Sequence, residues 1–188
     1  MKLSGSFNIK SDKKSVWKAL NDPEILKKTI PGCEEFIKKS DTEFTATATN
    51  KIGPFNASFT GDIELKEINA PNSYVIEGSG NSAVGFASGS AKVNLEDFED
   101  GTNLKYSVEA NVGGKIAQVG SRLIDMTAKK MADIFFGKFV ELISTKNTNE
   151  KIKKVDENKI QTQKKTINKI FIILPALIII GIILYYLN

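Results

Sequence analysis

The stretch GKIAQVGSRLIDMTAKKMADIFFGKFVELIS, residues 114–144, decides the fold of this chain. Its apolar residues recur three and four positions apart, and this spacing predicts one long amphipathic helix that begins after Gly114 and ends near Ser144. Such a helix needs a large surface against which its apolar stripe can pack. The stripe consists of Ile116, Val119, Gly120, Leu123, Ile124, Thr127, Met131, Ile134, Phe135, Phe139 and Leu142.

The residues that precede the helix show the two-residue alternation of antiparallel strands. A first strand spans Met1 to Ile9, and two short helices lie between Ser11 and Ile30. Further strands follow from Glu34 to Val112, separated by turns rich in Gly, Pro, Asn and Asp. This order predicts an α+β domain, residues 1–145, in which a curved antiparallel sheet of about seven strands wraps the C-terminal helix.

The face of the predicted sheet that points to the helix is dominated by small residues. A face of Ala and Gly cannot fill the layer of about 10 Å between a sheet and its partner, so the pattern predicts an apolar cavity. The alternative is that glycines such as Gly61, Gly78 and Gly89 mark bulges and sharp bends. The small inward residues are Ala46, Ala48, Ala57, Gly61, Gly78, Gly80, Ala87, Gly89, Ala91 and Ala110.

The cavity hypothesis selects a candidate ligand-binding lining from the sheet and from the helical stripe. This lining is apolar apart from one hydroxyl group, on Thr127. Pockets for small apolar molecules are typically lined by hydrophobic side chains and contain few polar groups. The ten candidate residues are Phe55, Phe59, Ala87, Gly89, Ile116, Val119, Gly120, Leu123, Thr127 and Met131.

The composition argues against catalysis. The chain contains no histidine, which excludes Ser-His-Asp and Cys-His nucleophiles and histidine-based metal sites. Cys33 is the only cysteine. Its neighbours Glu34 and Glu35 are negatively charged, so it lacks the positive surroundings that activate a thiol. The inward positions of the sheet hold no Asp or Glu for acid–base work. We therefore expect no catalytic residue and no metal site.

The run IFIILPALIIIGIILYYL, residues 170–187, is uncharged and strongly apolar. As a helix it would span about 27 Å, close to the hydrocarbon core of about 30 Å in a bilayer, so it predicts a transmembrane helix. The alternative is a buried helix of a soluble core. The predicted anchor positions are Ile170, Leu174, Ile178, Ile182 and Leu187.

Residues 146–169 form a predicted linker with eight lysines against three carboxylates. Lysines beside a single span favour the cytoplasmic side and attract anionic lipid, so we expect the N-terminal domain in the cytoplasm. The polar start of the chain, without a signal-like apolar run, and the single cysteine agree with a reducing compartment. Nucleic-acid binding is disfavoured because the domain before the linker has no basic excess.

Several short segments stand in a fixed order: WKALNDPEIL (17–26), IPGCE (30–34), GPF (53–55), GKIA (114–117), GSRL (120–123) and FF (135–136). Together they resemble the G-subunit family of carbon monoxide dehydrogenase, which belongs to the START-like or polyketide cyclase-like helix-grip superfamily. The resemblance covers Met1 to about Ser144. It implies a helix-grip fold with a hydrophobic cavity under the long helix, and an accessory role to a molybdenum-containing dehydrogenase. It also implies, as in some members, a membrane anchor, docking of the enzyme on the membrane and handling of a respiratory quinone.

Residues and resemblance together predict a membrane-anchored, non-catalytic accessory protein of a carbon monoxide dehydrogenase-type oxidoreductase. Its expected partners are the lipid bilayer, a hydrophobic small molecule such as a respiratory quinone, and the molybdenum enzyme; neither a cofactor nor nucleic acid is expected. One alternative is a pure recruitment module with a filled core. Another is a cyclase-like enzyme, which the missing histidine and the absence of inward acids disfavour.

Overall fold

The structure is a computed structural model of the chain, and it describes residues 1–144. The predicted linker, the predicted transmembrane helix and its five anchor residues lie outside the described residues. Among the helices that lie between residues 1 and 144, none combines the length and the hydropathy that a membrane crossing requires.

The described residues form an α+β fold with one antiparallel sheet of seven strands. The sheet has the order β1-β7-β6-β5-β4-β3-β2, and a C-terminal helix follows the last strand. The prediction of about seven strands and a long helix after them is confirmed. The elements are β1 (Lys2–Ile9), α1 (Lys13–Leu20), α2 (Pro23–Thr29), β2 (Cys33–Lys38), β3 (Glu43–Ile52), β4 (Phe55–Asn69), β5 (Ser73–Ser82), β6 (Gly85–Phe98), β7 (Gly101–Gly113), a 3-10 helix (Lys115–Val119) and α3 (121–144).

The two short helices connect the two edges of the sheet, because β1 and β2 are its outermost strands. Asp12 caps α1 by accepting a hydrogen bond of 3.0 Å from the backbone N–H of Ser15. Asp22 caps α2 in the same way through Glu24, and Pro23 occupies the first turn, where its missing N–H costs nothing. Local capping therefore defines where each helix begins.

The predicted continuous helix from Gly114 to Ser144 is wrong in its first turns. Residues Lys115–Val119 form a separate 3-10 helix, and α3 begins only after Gly120. Gly114 and Gly120 have φ angles of 84° and 91°, a region that glycine enters readily and that α-helices exclude. Ile116 and Val119 consequently belong to the 3-10 helix and not to the apolar stripe of α3.

The apolar stripe of α3 differs from the predicted stripe at single positions. The pattern places Ile134 in the stripe, but this side chain is 37% exposed, whereas Phe136 and Ile143 are buried. The phase of the predicted stripe is retained, because Ile124, Thr127, Met131 and Phe135 line the space between α3 and the sheet. Phe139 is predicted correctly, and its side chain is completely buried.

The core lies at one end of the sheet, where the C-terminal half of α3 packs. The ring of Phe136 stacks on Phe7 of β1 and on Tyr106 of β7, with centroid separations of 4.3 and 5.3 Å. Phe139 and Leu104 are fully buried in the same cluster. Aromatic pairs of this kind add about 0.5–1.5 kcal/mol to the burial of their surface. This cluster fixes α3 on the sheet and closes that end of the fold.

Two of the inward glycines have no room for a β-carbon, and two do. A β-carbon on Gly61 would collide with the carbonyl oxygen of Ser79 on the neighbouring strand, and one on Gly89 would collide with that of Glu109. A β-carbon on Gly78 would lie 3.6 Å from its nearest neighbour, the oxygen of Asp62, which is an ordinary contact. Glycine is therefore required at Gly61 and Gly89 because adjacent strands approach too closely for a side chain, and the pairing of both residues is regular, without a bulge.

This difference generates a matched pair of substitutions. We expect Gly61→Ala to lower the free energy of unfolding by about 1–3 kcal/mol, because its methyl group has no space beside the next strand. Gly78→Ala should be neutral or stabilising by up to about 1 kcal/mol, because it only restricts the unfolded chain. Urea denaturation measures both variants, and equal losses would contradict the close approach of the strands at Gly61.

Candidate ligand-binding cavity

A cavity of about 630 Å³ lies between the inner face of the sheet and α3. The strands provide most of its wall, and apolar atoms dominate the lining. Volumes of about 300–1,000 Å³ are typical of sites for small molecules. The space exists because the central strands place small residues side by side. Ala87 of β6 pairs with Gly80 of β5, and Ala110 of β7 pairs with Gly89 of β6.

The two ends of the cavity differ. Its floor consists of buried side chains that also belong to the core, among them Tyr74, Val93 and Leu104. The other end is bounded by the connector after α2 and by the ends of the strands, through residues such as Pro31 and Ile52. A hydrogen bond of 2.9 Å from the Asn50 side chain to the carbonyl oxygen of Pro31 holds this connector on β3.

The helical wall comes from α3, whose inward residues alternate between large and small. Thr127 and Ala128 lie one turn before Met131 and Ala132, so the middle of the helix leaves space above the sheet. The lining residues of this helix are Ile124, Thr127, Ala128, Met131, Ala132, Phe135 and Phe136.

Five of the ten predicted binding residues line the cavity. They are contributed by β4, β6, the 3-10 helix and α3, so they converge from four elements of the chain. These residues are Phe59, Ala87, Ile116, Thr127 and Met131. Their role in ligand binding stays a prediction.

The other five predicted residues lie elsewhere. Val119 and Leu123 pack near the turn between β3 and β4, where a β-carbon on Gly53 would be 3.4 and 3.0 Å from their side chains. Gly120 has open space around it but sits in the break before α3. Phe55 is the first residue of β4 and is not part of the lining. Gly89 instead borders a polar groove on the opposite face of the sheet.

Sequence reasoning misses part of the wall and most of its polar atoms. Leu26, Ile30 and Pro31 enter the lining from α2 and its connector; the apolar spacing of Leu26 and Ile30 is the available signal. Tyr74 and Tyr106 also contribute to the cavity, so Thr127 is not its only hydroxyl-bearing residue. The two-residue alternation of the strands predicts that both Tyr side chains point inward. It does not predict that their hydroxyl groups reach the cavity.

The polar side chains of the lining, those of Asn50, Tyr74, Tyr106 and Thr127, are neutral hydrogen-bonding groups. Burial raises the pKa of Tyr74 far above its ordinary value, and burial together with the charge of Asp133 raises the pKa of Tyr106. Both phenols therefore stay protonated and can donate a hydrogen bond. The Thr127 hydroxyl donates to the carbonyl oxygen of Leu123 at 2.8 Å, which leaves its lone pairs as acceptors.

Within the lining, which belongs entirely to the described part of the chain, no side chain is a carboxylate, an amine, a thiol or an imidazole. The thiol of Cys33 lies outside the cavity and donates to the carbonyl oxygen of Glu35 at 3.3 Å. Burial raises its pKa, which disfavours the reactive thiolate. Residues 1–144 contain no cluster of three His, Cys, Asp or Glu that could hold a metal ion. The arrangement is suited to binding.

Comparison with known proteins identifies relatives of this fold. Residues 5–144 match the model of the CoxG family, described as the G subunit of carbon monoxide dehydrogenase. A conserved protein from Geobacillus kaustophilus is 29% identical, and its structure superposes with a TM-score of 0.73 over 77% of this chain and 96% of that chain. No curated protein matches the chain.

More distant structures share the fold alone. Protein Ms6760 from Mycobacterium smegmatis is 15% identical, with a TM-score of 0.59 over 77% of this chain and 92% of that chain. TTHA0849 from Thermus thermophilus is 10% identical, with a TM-score of 0.59 over 77% of this chain and 98% of that chain.

The cavity generates a stability prediction with an internal control. Ala87 lines the cavity, whereas Ala57 lies in a filled region and is 2% exposed. We expect Ala87→Leu to change the free energy of unfolding by less than about 0.5 kcal/mol, and Ala57→Leu to lower it by about 1–3 kcal/mol through overpacking. Thermal and urea unfolding measure both. A large loss at Ala87 would mean that the space is occupied by protein. Gly120 is unsuitable for this test because its φ of 91° penalises any side chain.

Proposed function

Since the chain belongs to the CoxG family of carbon monoxide dehydrogenase, we propose that it is a non-catalytic accessory protein that holds an apolar small molecule for a molybdenum-containing dehydrogenase. The resemblance noted in the sequence is thereby confirmed at the level of the family, and the family's description links it to carbon monoxide dehydrogenase. The observation that carries the proposal is the apolar cavity of about 630 Å³. Because its side chains include no acid or base, the cavity supports carriage better than a cyclase-like reaction.

A respiratory quinone is the ligand that we propose. Its carbonyl oxygens accept hydrogen bonds and cannot donate them, which suits the protonated phenols of Tyr74 and Tyr106. Its isoprenoid chain would contact the apolar lining of Met131 and its neighbours. A recruitment module with a filled core is the competing proposal, and the volume of the cavity weighs against it.

We further propose that residues 170–187 anchor the protein in the membrane and that the domain faces the cytoplasm. The apolar length of this run and the eight lysines of 146–169 support the anchor and its orientation. As a flexible chain the linker would span about 25 Å, so the domain would stay near the bilayer and remain free to reorient. In this position it would take its ligand from the lipid phase and present it to the dehydrogenase.

The ligand is tested on the full chain purified from its native membrane. We expect solvent extraction followed by mass spectrometry to recover a quinone in stoichiometric amount. Ala87→Phe should abolish binding of a quinone analogue by filling the cavity, whereas Ser88→Phe should bind normally because its side chain points to the outer face of the sheet. An empty protein, or equal binding by both variants, would leave recruitment as the surviving function.

Orientation and anchoring are tested together by proteolysis. Protease added to intact cells should spare the domain, because we expect it inside. Protease added to inverted membrane vesicles should cut the linker and release a soluble fragment of the domain's size. Release from intact cells would place the domain outside, and recovery of the protein without membranes would refute the anchor.

A further inference from the structure

Three segments meet at the end of the sheet opposite the aromatic core. They are the turn 51–56 between β3 and β4, the turn 82–86 between β5 and β6, and the passage 113–122 from β7 into α3. The backbone N–H of Ile116 donates to the carbonyl oxygen of Val84 at 2.9 Å, which joins the second and third segments. The packing of Val119 and Leu123 near Gly53 joins the first and third. We call this surface the hairpin end. Ile52 and Ile116 connect it with the cavity, because both also line that space.

The tips of the hairpin end expose apolar groups. The ring of Phe86 is 45% exposed although it covers Gly113, and Pro54 and Ala83 are exposed in their turns. An exposed aromatic ring with smaller apolar groups around it, beside a cavity, is typical of surfaces that contact a partner or a membrane. Ile68 and Phe98 at the other end of the sheet are similarly exposed, at 46% and 41%, but lie in turns that carry carboxylates, and Phe98 serves as a comparison.

Charge separates the two ends of the sheet. The three segments of the hairpin end contain Lys51, Lys115 and Arg122 and no Asp or Glu. All three side chains are exposed, and none forms a salt bridge within residues 1–144. At the opposite end, the turns 38–43, 66–72 and 96–101 and the passage 10–14 together hold eight carboxylates and six lysines. The hairpin end is therefore basic, and the opposite end carries a small excess of carboxylates.

We propose that the hairpin end docks on the surface of an anionic lipid bilayer, with Phe86 in the interface and Lys51, Lys115 and Arg122 against lipid phosphates. This proposal rests on the proposed function and adds the orientation of the domain to it. An apolar tip with basic residues around it and no acids matches an anionic membrane surface, where each basic residue contributes attraction. α3 ends at the opposite end of the sheet, about 36 Å from the hairpin end, and a fully extended chain of residues 146–169 would reach about 80 Å, so the predicted anchor permits this orientation.

Docking in this orientation would give the bound molecule a direct route. The cavity wall at Ile52 and Ile116 would face the lipid, so an apolar molecule could enter the cavity without crossing water. The acidic turns at the opposite end would face away from the membrane and be accessible to a soluble enzyme.

The test uses the full chain reconstituted into vesicles. In a Cys33→Ser background, Ala83→Cys carries an environment-sensitive fluorophore at the hairpin end, and Asp100→Cys carries it at the opposite end. Vesicles consist of phosphatidylcholine alone or with phosphatidylglycerol, and spin-labelled lipid provides the quencher. We expect a blue shift and quenching at position 83 in anionic vesicles, reversal at high salt, and no change at position 100.

Substitutions then identify the contacts. Lys115→Glu combined with Arg122→Glu should reduce the docked population about tenfold or more, whereas Lys10→Glu combined with Lys14→Glu changes the net charge equally at the far end and should have little effect. Phe86→Ser should likewise weaken docking, and Phe98→Ser should not. Circular dichroism verifies the fold of each variant; if Phe86→Ser unfolds, the charge variants decide.

The outcomes separate docking from carriage. If position 83 is neither shifted nor quenched in anionic vesicles, or if both pairs of charge variants behave alike, the docking proposal is overturned. A quinone recovered from such a protein would leave the proposed carrier function intact. Quenching at position 83 in a protein that yields no quinone would support docking and refute carriage. Failure of the full chain to float with vesicles would overturn both docking and the anchor.

Discussion

The stacking of Phe136 between α3 and the first and last strands is the contact on which the rest of the structure depends. Phe7 and Tyr106 lie on adjacent strands, so a single side chain of the helix joins the helix, an edge strand and its neighbour. Because this cluster lies towards the C-terminal end of α3, it fixes the helix at one end only. The N-terminal half then extends over strands whose inward residues are too small to fill the layer, and a cavity results.

Large and small residues are thus separated along the axis of the fold. Leu104 and Phe139 fill one end completely, whereas Ala87 and Ala110 leave space in the middle. A uniformly packed core would bury more apolar surface, at about 25 cal/mol per Å². The fold gives up this stabilisation in the region of the cavity, and tight packing at the closed end offsets the loss. Space for a ligand and stability therefore come from different residues of the same sheet.

The alternation of the strands and the small inward residues are sufficient to predict the sheet, the long helix and the existence of space between them. They are not sufficient to predict which side chains reach that space. Gly120 interrupts the helix through a positive φ, which depends on backbone geometry and not on the spacing of apolar residues, so the spacing assigns Val119 and Leu123 to the wrong surface. It also assigns Gly89 to the cavity, although the backbone of this residue is pressed against the next strand. The contribution of Pro31 depends on a contact between distant parts of the chain, which no local pattern encodes.

The pairing of β1 with β7 has a consequence for how the chain folds. Strands β2 to β7 follow one another as hairpins, and each can pair with its predecessor soon after synthesis. β1 is made first, but its partner is far away in sequence, as the pairing of Lys2 with Glu109 shows. Closing so long a loop is entropically costly and slow, so β1 can join the sheet only after nearly the whole domain has been translated. During that interval the apolar inner face lacks its helix, and the nascent chain is most exposed to aggregation just before α3 becomes available.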